Sequence, residues 1–422
     1  MPSLLLIPPK LLASVSRQSW RDLVREPAVL FTSQGSEEHR ARVTADLSDV
    51  FSSIHFYDDL GTNDHVELDA IALHATTPFT RVVATGEDDL LRAARLRELF
   101  GVAGPSSADV LVFRDKLLMK RRAMAAGVPV ARHADVQTMT DVVAFVRQVG
   151  YPIVVKPLRG MGSAETRVIR SDSELGAFAD LRPFGVNLGL PHLLAEKFVE
   201  GALCHVNGLI LGGRMQVVSA SRFIHTALEY VCDQSFLGSY VMGDGPDRER
   251  LTTFATRVLL EAFPTPPECL FHLECFLQDD GDVVLCEVAC RLGGNGINEE
   301  VRLSYDVDMK LEWLRSQLLG VGACNVRTSP KGLGGNQLAG RLLISPREGR
   351  LEAIPASCSE SYVLEYRARG RPGSDHHPMN MSDDELASFL LVGPDEAELR
   401  RRILGLHEWF DQNTRWAARS AE

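Results

Sequence analysis

Tyr151-Pro152-Ile153-Val154-Val155-Lys156-Pro157-Leu158-Arg159-Gly160-Met161-Gly162-Ser163-Ala164-Glu165-Thr166-Arg167-Val168-Ile169 reads as a strand, a glycine-bearing turn and a second strand. Ile153, Val154 and Val155 form a short apolar run that ends on Lys156. A lysine at the end of a buried strand is costly to desolvate unless an anion meets it. Gly160 and Gly162 permit a turn whose backbone N–H groups can close on phosphate oxygens. Met161 and Ser163 complete that turn, and the serine adds a hydroxyl donor. The GxxxxGK[ST] loop is excluded, because here the lysine precedes the glycines and sits on a strand. A plain hairpin with a snorkelling lysine would give the same pattern, so the rest of the chain has to decide.

Upstream, residues 110–126 read as one periodic, Lys/Arg-rich helix that carries Lys116 and ends at Gly127. Downstream, Leu194-Ala195-Glu196-Lys197-Phe198-Val199 is an apolar strand ending in polar residues. Its backbone N–H and C=O groups can pair with an adenine edge, and Glu196 can accept from the adenine amino group.

Further on, residues 270–277 and 283–288 form an antiparallel pair across Asp279-Asp280-Gly281-Asp282, a hairpin turn. The pair places Glu274 and Glu287 on adjacent, otherwise apolar strands. Two such carboxylates repel unless a cation sits between them, and hard oxygen ligands suit Mg²⁺, which also binds substrate phosphates. Ala289-Cys290-Arg291-Leu292-Gly293-Gly294-Asn295-Gly296 then leads into a helix from about residue 297. A glycine-rich approach to a helix start is an anion site, and Arg291 adds a cation that keeps its proton.

The remaining pattern frames these motifs. Residues 4–7, 28–32, 53–57 and 82–85 read as strands alternating with helical segments 37–48 and 88–100, the pattern of a parallel α/β layer. Residues 221–230 read as a loop near the glycine turn, with Arg222 a candidate for an anion. The chain has 422 residues, 45% apolar and 24% charged, with a formal net charge of -11. That is globular composition for two or three domains, and no basic run interleaved with aromatics points to nucleic acid. Eight cysteines without a CxxC pair fit reduced thiols. No apolar stretch is long enough to span a membrane, and the expected location is the cytoplasm.

In this order, a helix lysine, a strand lysine with a glycine loop, Glu-Lys-x-Val, and paired glutamates followed by Arg-x-Gly-Gly resemble the ATP-grasp superfamily. Within it they are similar to the carboxylate–amine ligases that make dipeptides and related amides. The resemblance covers roughly residues 110–320 and implies a fold combining α/β and α+β parts, with ATP bound between two α+β domains. It divides the chain into an N-terminal parallel α/β domain (1–107), a central subdomain with the glycine-rich lid (108–200) and a C-terminal domain with the metal site (201–422).

Carried over residue by residue, it implies that Lys116 and Lys156 contact ATP phosphates. Gly160, Met161, Gly162 and Ser163 would form the lid, and Glu196 with the Lys197 and Val199 backbone the adenine hinge. His205 would face the ribose, Glu274 and Glu287 would hold Mg²⁺ (Mn²⁺ as a substitute), and Arg291 and Lys156 would be catalytic. The implied partners are a small-molecule carboxylate and amine, amino acids or derivatives, with a homodimer as an option. Two positions depart from the family. Leu203 stands where many relatives carry a ribose-binding acid, and Ala289 where many carry a metal-binding asparagine, so Asn295, Asn298 or water would complete the metal shell. These departures keep a nucleotide-binding regulatory protein open as an alternative, beside an enzyme with a thiol or other acceptor. A dinucleotide oxidoreductase is disfavoured, since no GxGxxG follows an early strand.

Overall fold

Every residue of the strand Ser3–Leu6 is buried in the computed structural model, which describes residues 2–181, 183, 184, 192–232, 235–326, 337–377, 379 and 385–417. Leu5 and Ile7 enter one core with Trp20, while Leu4 and Leu6 enter another with Phe31. A strand covered on both faces is the mark of a parallel sheet flanked by helices. Four parallel strands lie in the order Ser53–Tyr57, Ala28–Ser33, Ser3–Leu6, Arg81–Ala84. One of the two cores is completed from far along the chain, by Leu314 and Leu318 of the helix Met309–Leu319.

A second, antiparallel sheet orders His133–Val136, Leu193–Lys197, Ile153–Pro157 and Arg167–Ile169. The helices Met139–Val149 and Asp172–Asp180 cover it through Val142, Phe145 and Phe178. The strand–turn–strand reading of residues 151–169 is therefore an antiparallel pair, Ile153 opposite Ile169.

The third sheet has eight antiparallel strands, starting Val283–Ala289, Cys269–Leu277, Ala202–Leu211, Arg214–His225. Phe236–Val241, Leu338–Ile344, Ala387–Gly393 and Val363–Ala368 extend it. Its first strands pack against the helices Lys116–Ala125 and Pro246–Arg257 in one core with Met119, Ala123, Leu251 and Ala255. Among the described residues no helix is long and apolar enough to cross a membrane. The described cysteines are free thiols, and the side chain of Cys232 lies outside the described set.

Two expectations change. Residues 110–126 are two helices, Ser107–Arg114 and Lys116–Ala125, because Asp115 leaves helical geometry at φ -102, ψ 108. Its carboxylate accepts from the N–H groups of Leu117 and Leu118 (both 3.1 Å), so it caps the second helix. Residues 221–225, read as loop, continue the strand Arg214–His225, paired with Val241 to Gly238 across a bulge. Ala227–Cys232 is a short helix.

Candidate functional site

The break at Asp115 puts Lys116 on the first turn of its helix, facing the glycine turn. Its N–H donates to Leu158 O (2.9 Å) and its ammonium to Gly160 O (2.6 Å). The same ammonium lies 3.4 Å from Glu287 Oε2. Lys116 therefore ties the turn between the second sheet's strands to the edge hairpin of the third sheet. Gly162 sits at φ +59, a region that glycine enters without steric cost, and Ser163 takes the same value next to it.

Lys156 ends the strand Ile153–Pro157 with 7% exposure, and its ammonium lies 2.6 Å from Glu196 Oε2. Burial alone would depress its pKa, but Glu196, Cys286 and Glu287 together outweigh that and raise it. Glu196, 5% exposed on the neighbouring strand, meets a second ammonium: Lys120 Nζ lies 2.8 Å from Oε1. Burial pushes the Glu196 carboxyl up, and Lys120 and Lys156 together pull it down to about 2. Both its oxygens are thus engaged with lysines, so the task expected of it toward an adenine is at most shared. Of the hinge backbone, Lys197 N–H is taken by Arg132 O (2.8 Å) and Phe198 N–H by Pro152 O (3.2 Å). Val199 N–H has no partner among the described residues.

Glu274 and Glu287 stand directly opposite one another across the hairpin strands. Burial raises the Glu287 carboxyl, but Lys116, Lys156, His272 and Arg291 bring it down to about 2, so it is an anion at neutral pH. His272 Nε2 lies 3.3 Å from Glu274 Oε1, and its Nδ1 lies 2.7 Å from Asn207 Oδ1. Asn207 Nδ2 in turn donates to His205 Nδ1 (2.7 Å). Gly293 is packed against this chain; a Cβ there would come within 2.9 Å of Asn207 Oδ1 and 3.0 Å of His272 Nδ1.

The lysines and carboxylates border one cavity of about 460 Å³ between the second and third sheets. Lys116, Lys156, Gly160, Met161, Gly162, Ser163, Glu196, Lys197, Val199, Glu274 and Glu287 all line it. Val154, Val168, Phe198, Leu203 and Phe276 make part of its wall apolar, suited to a flat ring. Paired carboxylates on one side and ammonium groups on the other can hold a polyanion together with a hard cation.

Three expected residues are elsewhere. His205 is fully buried in the sheet against Phe223 (ring centroids 4.5 Å), and Leu203, two residues earlier on the strand, faces the cavity instead. Burial holds its pKa well below the usual range, so the ring is neutral. Arg291 lies off the cavity wall, beside Glu287, with its guanidinium paired to Glu87 of the N-terminal sheet region. Arg222 pairs with Asp247 (3.0 Å). The asparagines proposed for the metal shell are also accounted for. Asn298 bonds Asp308 (3.2 Å) and Lys310 N–H (3.2 Å), and Asn295 lines a second cavity. Among the described residues no group of three or more His, Cys, Asp or Glu could hold a metal, so a cation here would rest on Glu274 and Glu287.

Sequence reasoning passed over Lys120 and Glu87. Lys120 stands four residues after Lys116, hence on the same helix face, and that spacing could have flagged it. Glu87 has no such local signal, because its partners Arg114 and Arg291 come from distant segments.

Residues 115–210 match the family model of the carbamoyl-phosphate synthase L chain, ATP binding domain. An L-arginine-specific L-amino acid ligase of Bacillus subtilis is 28% identical over 239 residues, 55% of this chain and 56% of that protein. The chain thus spans little more than half of that curated relative. Among solved structures, an L-amino acid ligase from Bacillus licheniformis aligns over 99% of both chains with a TM-score of 0.70 at 15% identity. A carboxyaminoimidazole ribonucleotide synthase from Aspergillus clavatus, solved with ATP, covers 98% of both chains with a TM-score of 0.68 at 16% identity. The family model thus falls on the lysine-bearing segment, and the fold of these solved structures extends along almost the whole chain.

Proposed function

We propose that this chain is an ATP- and Mg²⁺-dependent ligase that joins a carboxylate to an amine through an acyl-phosphate, releasing ADP and phosphate. The observation that carries the reading is the convergence of Lys116, Lys156 and the opposed pair Glu274 and Glu287 on one cavity beneath a glycine turn. The apolar wall with the Val199 N–H would take the adenine. Lys116 and Lys156 would hold the phosphates, and residues 160–163 would close over them. Glu274 and Glu287 fit Mg²⁺, which prefers one or two carboxylates and completes its shell with phosphate oxygens and water. Bound there, the ion would neutralise charge on the phosphate oxygens.

A carboxylate is a poor electrophile and needs activation before an amine can attack it. In the proposed reaction a carboxylate oxygen bonds to the γ-phosphorus as the bond to the bridging oxygen of ADP breaks. The amine then attacks the acyl carbon and inorganic phosphate leaves. The lysines stabilise the charge on the phosphoryl oxygens. Closure of residues 160–163 would keep water from the mixed anhydride.

The organic substrates would take a second cavity. A cavity of about 310 Å³ is bordered by Pro8 and Lys10, by residues 292–296 that follow the Glu287 strand, and by Arg341, Glu365 and Arg367. Side chains of both signs suit zwitterions, and the names of the relatives point to amino acids. The test is phosphate release from MgATP across amino acids, singly and in pairs, with mass spectrometry of the products. A condensed product and phosphate from a particular pair would support the reading. ATP binding without release for any pair would favour the regulatory alternative.

A further inference from the structure

Two lysines compete for one buried carboxylate. Glu196 takes Lys156 on Oε2 at 2.6 Å and Lys120 on Oε1 at 2.8 Å, and all three side chains border the large cavity. Lys120 is 1% exposed, and its ammonium also donates to Leu285 O (2.8 Å), on the strand that carries Glu287. It is anchored on two sides. Lys156, by contrast, ends its strand where the glycine turn begins. A lone ion pair between Lys156 and Glu196 would spend the charge of Lys156 on the protein, and pulling that ammonium away would strand a buried anion, which is costly.

We infer that Lys120 is a standing counter-ion for Glu196, a positioning residue that leaves the charge of Lys156 available to a phosphate chain. The inference rests on the nucleotide reading of the cavity. With Lys120 in place, three ammonium groups, those of Lys116, Lys120 and Lys156, face the carboxylates of Glu196, Glu274 and Glu287. Removing Lys120 leaves Glu196 to be neutralised by Lys156 alone, so the phosphate end loses a positive charge that Lys120 never has to deliver by touching the ligand.

The experiment is titration calorimetry of MgATP into the full chain, with KM for ATP and kcat measured where turnover is found. Lys120→Met should weaken ATP binding about 10- to 100-fold, the scale of one lost charge-assisted contact, and should raise KM more than it lowers kcat. The charge-balanced double variant Lys120→Met/Glu196→Gln should bind ATP more tightly than Lys120→Met alone, because the two losses are coupled through one interaction. Wild-type affinity in Lys120→Met would overturn the inference. So would a double variant as weak as the single one, since Lys120 would then meet the phosphates itself. If Lys120→Met fails to fold, the double variant, which buries no unpaired charge, is compared with Glu196→Gln: equal ATP affinities support the inference, and a weaker double variant overturns it. A wild-type chain that binds no ATP would overturn the nucleotide reading and take the inference with it, an outcome distinct from the other two.

Discussion

Glu87→Gln removes one charge and almost no volume from a junction where three regions of the chain meet. Glu87 follows the strand Arg81–Ala84 of the first sheet, Arg114 ends the helix before the Asp115 break, and Arg291 follows the Glu287 strand. The Glu87 side chain is 10% exposed, that of Arg114 10% and that of Arg291 20%, and Glu87 contacts both guanidinium groups. Burial raises the Glu87 carboxyl, and the two arginines more than reverse that, so it is ionised. Arg114 keeps a second, longer contact to Asp88 at 3.4 Å, so Arg291 loses most. Leaving one partner of a buried pair uncompensated costs about 3–5 kcal/mol. Spread over an unfolding entropy of about 2.1 cal/mol/K per residue and 422 residues, that is a fall in Tm of about 3–6 °C. Urea unfolding and calorimetry of wild type and variant measure it. Because Glu87 and Arg291 both lie off the wall of the lysine-lined cavity, KM for ATP should hold and the loss should appear in stability. A stability change under about 1 kcal/mol, the scale of an exposed pair, would refute the reasoning and make the junction a surface contact.

Glu287→Gln should lower phosphate release at least about a hundredfold with the far-ultraviolet circular dichroism unchanged, and near-normal turnover would remove Glu287 from the metal site. Asp115→Ala removes the cap of the helix that presents Lys116 and should cost about 1–2 kcal/mol, read by urea unfolding, together with a raised KM for ATP; loss of neither would mean that the helix start is held by other contacts. Glu300 is fully buried beside Arg341, and burial drives its carboxyl up to about 7 against the pull of that guanidinium. The folded state then holds a proton that the unfolded chain releases near the ordinary carboxylate range. Its stabilisation is full below about pH 4.5 and is lost as pH rises to about 7, a span of about 3 kcal/mol. The stability difference between wild type and Glu300→Gln should therefore change across that window, and a difference independent of pH from 4.5 to 8 would contradict the assignment.

What was legible in the sequence followed from short-range rules. Apolar runs between helical periods gave away the first sheet because both faces of Ser3–Leu6 are buried, and the turn at residues 279–282 announced the hairpin that sets Glu274 against Glu287. The Asp115 break was hidden because Val112, Phe113, Leu117 and Met119 keep an apolar rhythm across it, while the competing capping bond is made by one side chain. Partners far apart in sequence were beyond local reading. Glu87 with Arg291, Arg222 with Asp247 and Lys120 with Glu196 meet only once the sheets are assembled. For His205 strand alternation could not decide, since it puts Leu203 and His205 on one face, and only the assembled sheet buries His205 against Phe223.

The helix Met309–Leu319 has a consequence for the order in which the chain is made. Leu314 and Leu318 fill the same core as Trp20 and Leu5, and Lys310 reaches back to Ser14 Oγ (2.8 Å). On a ribosome adding about 5–20 residues per second, the first sheet emerges on the order of ten to fifty seconds before the helix that covers it. During that interval an apolar face stands open to solvent and to other nascent chains. A chaperone that binds exposed aliphatic surface would find its target there, and release would be timed by the arrival of residue 318.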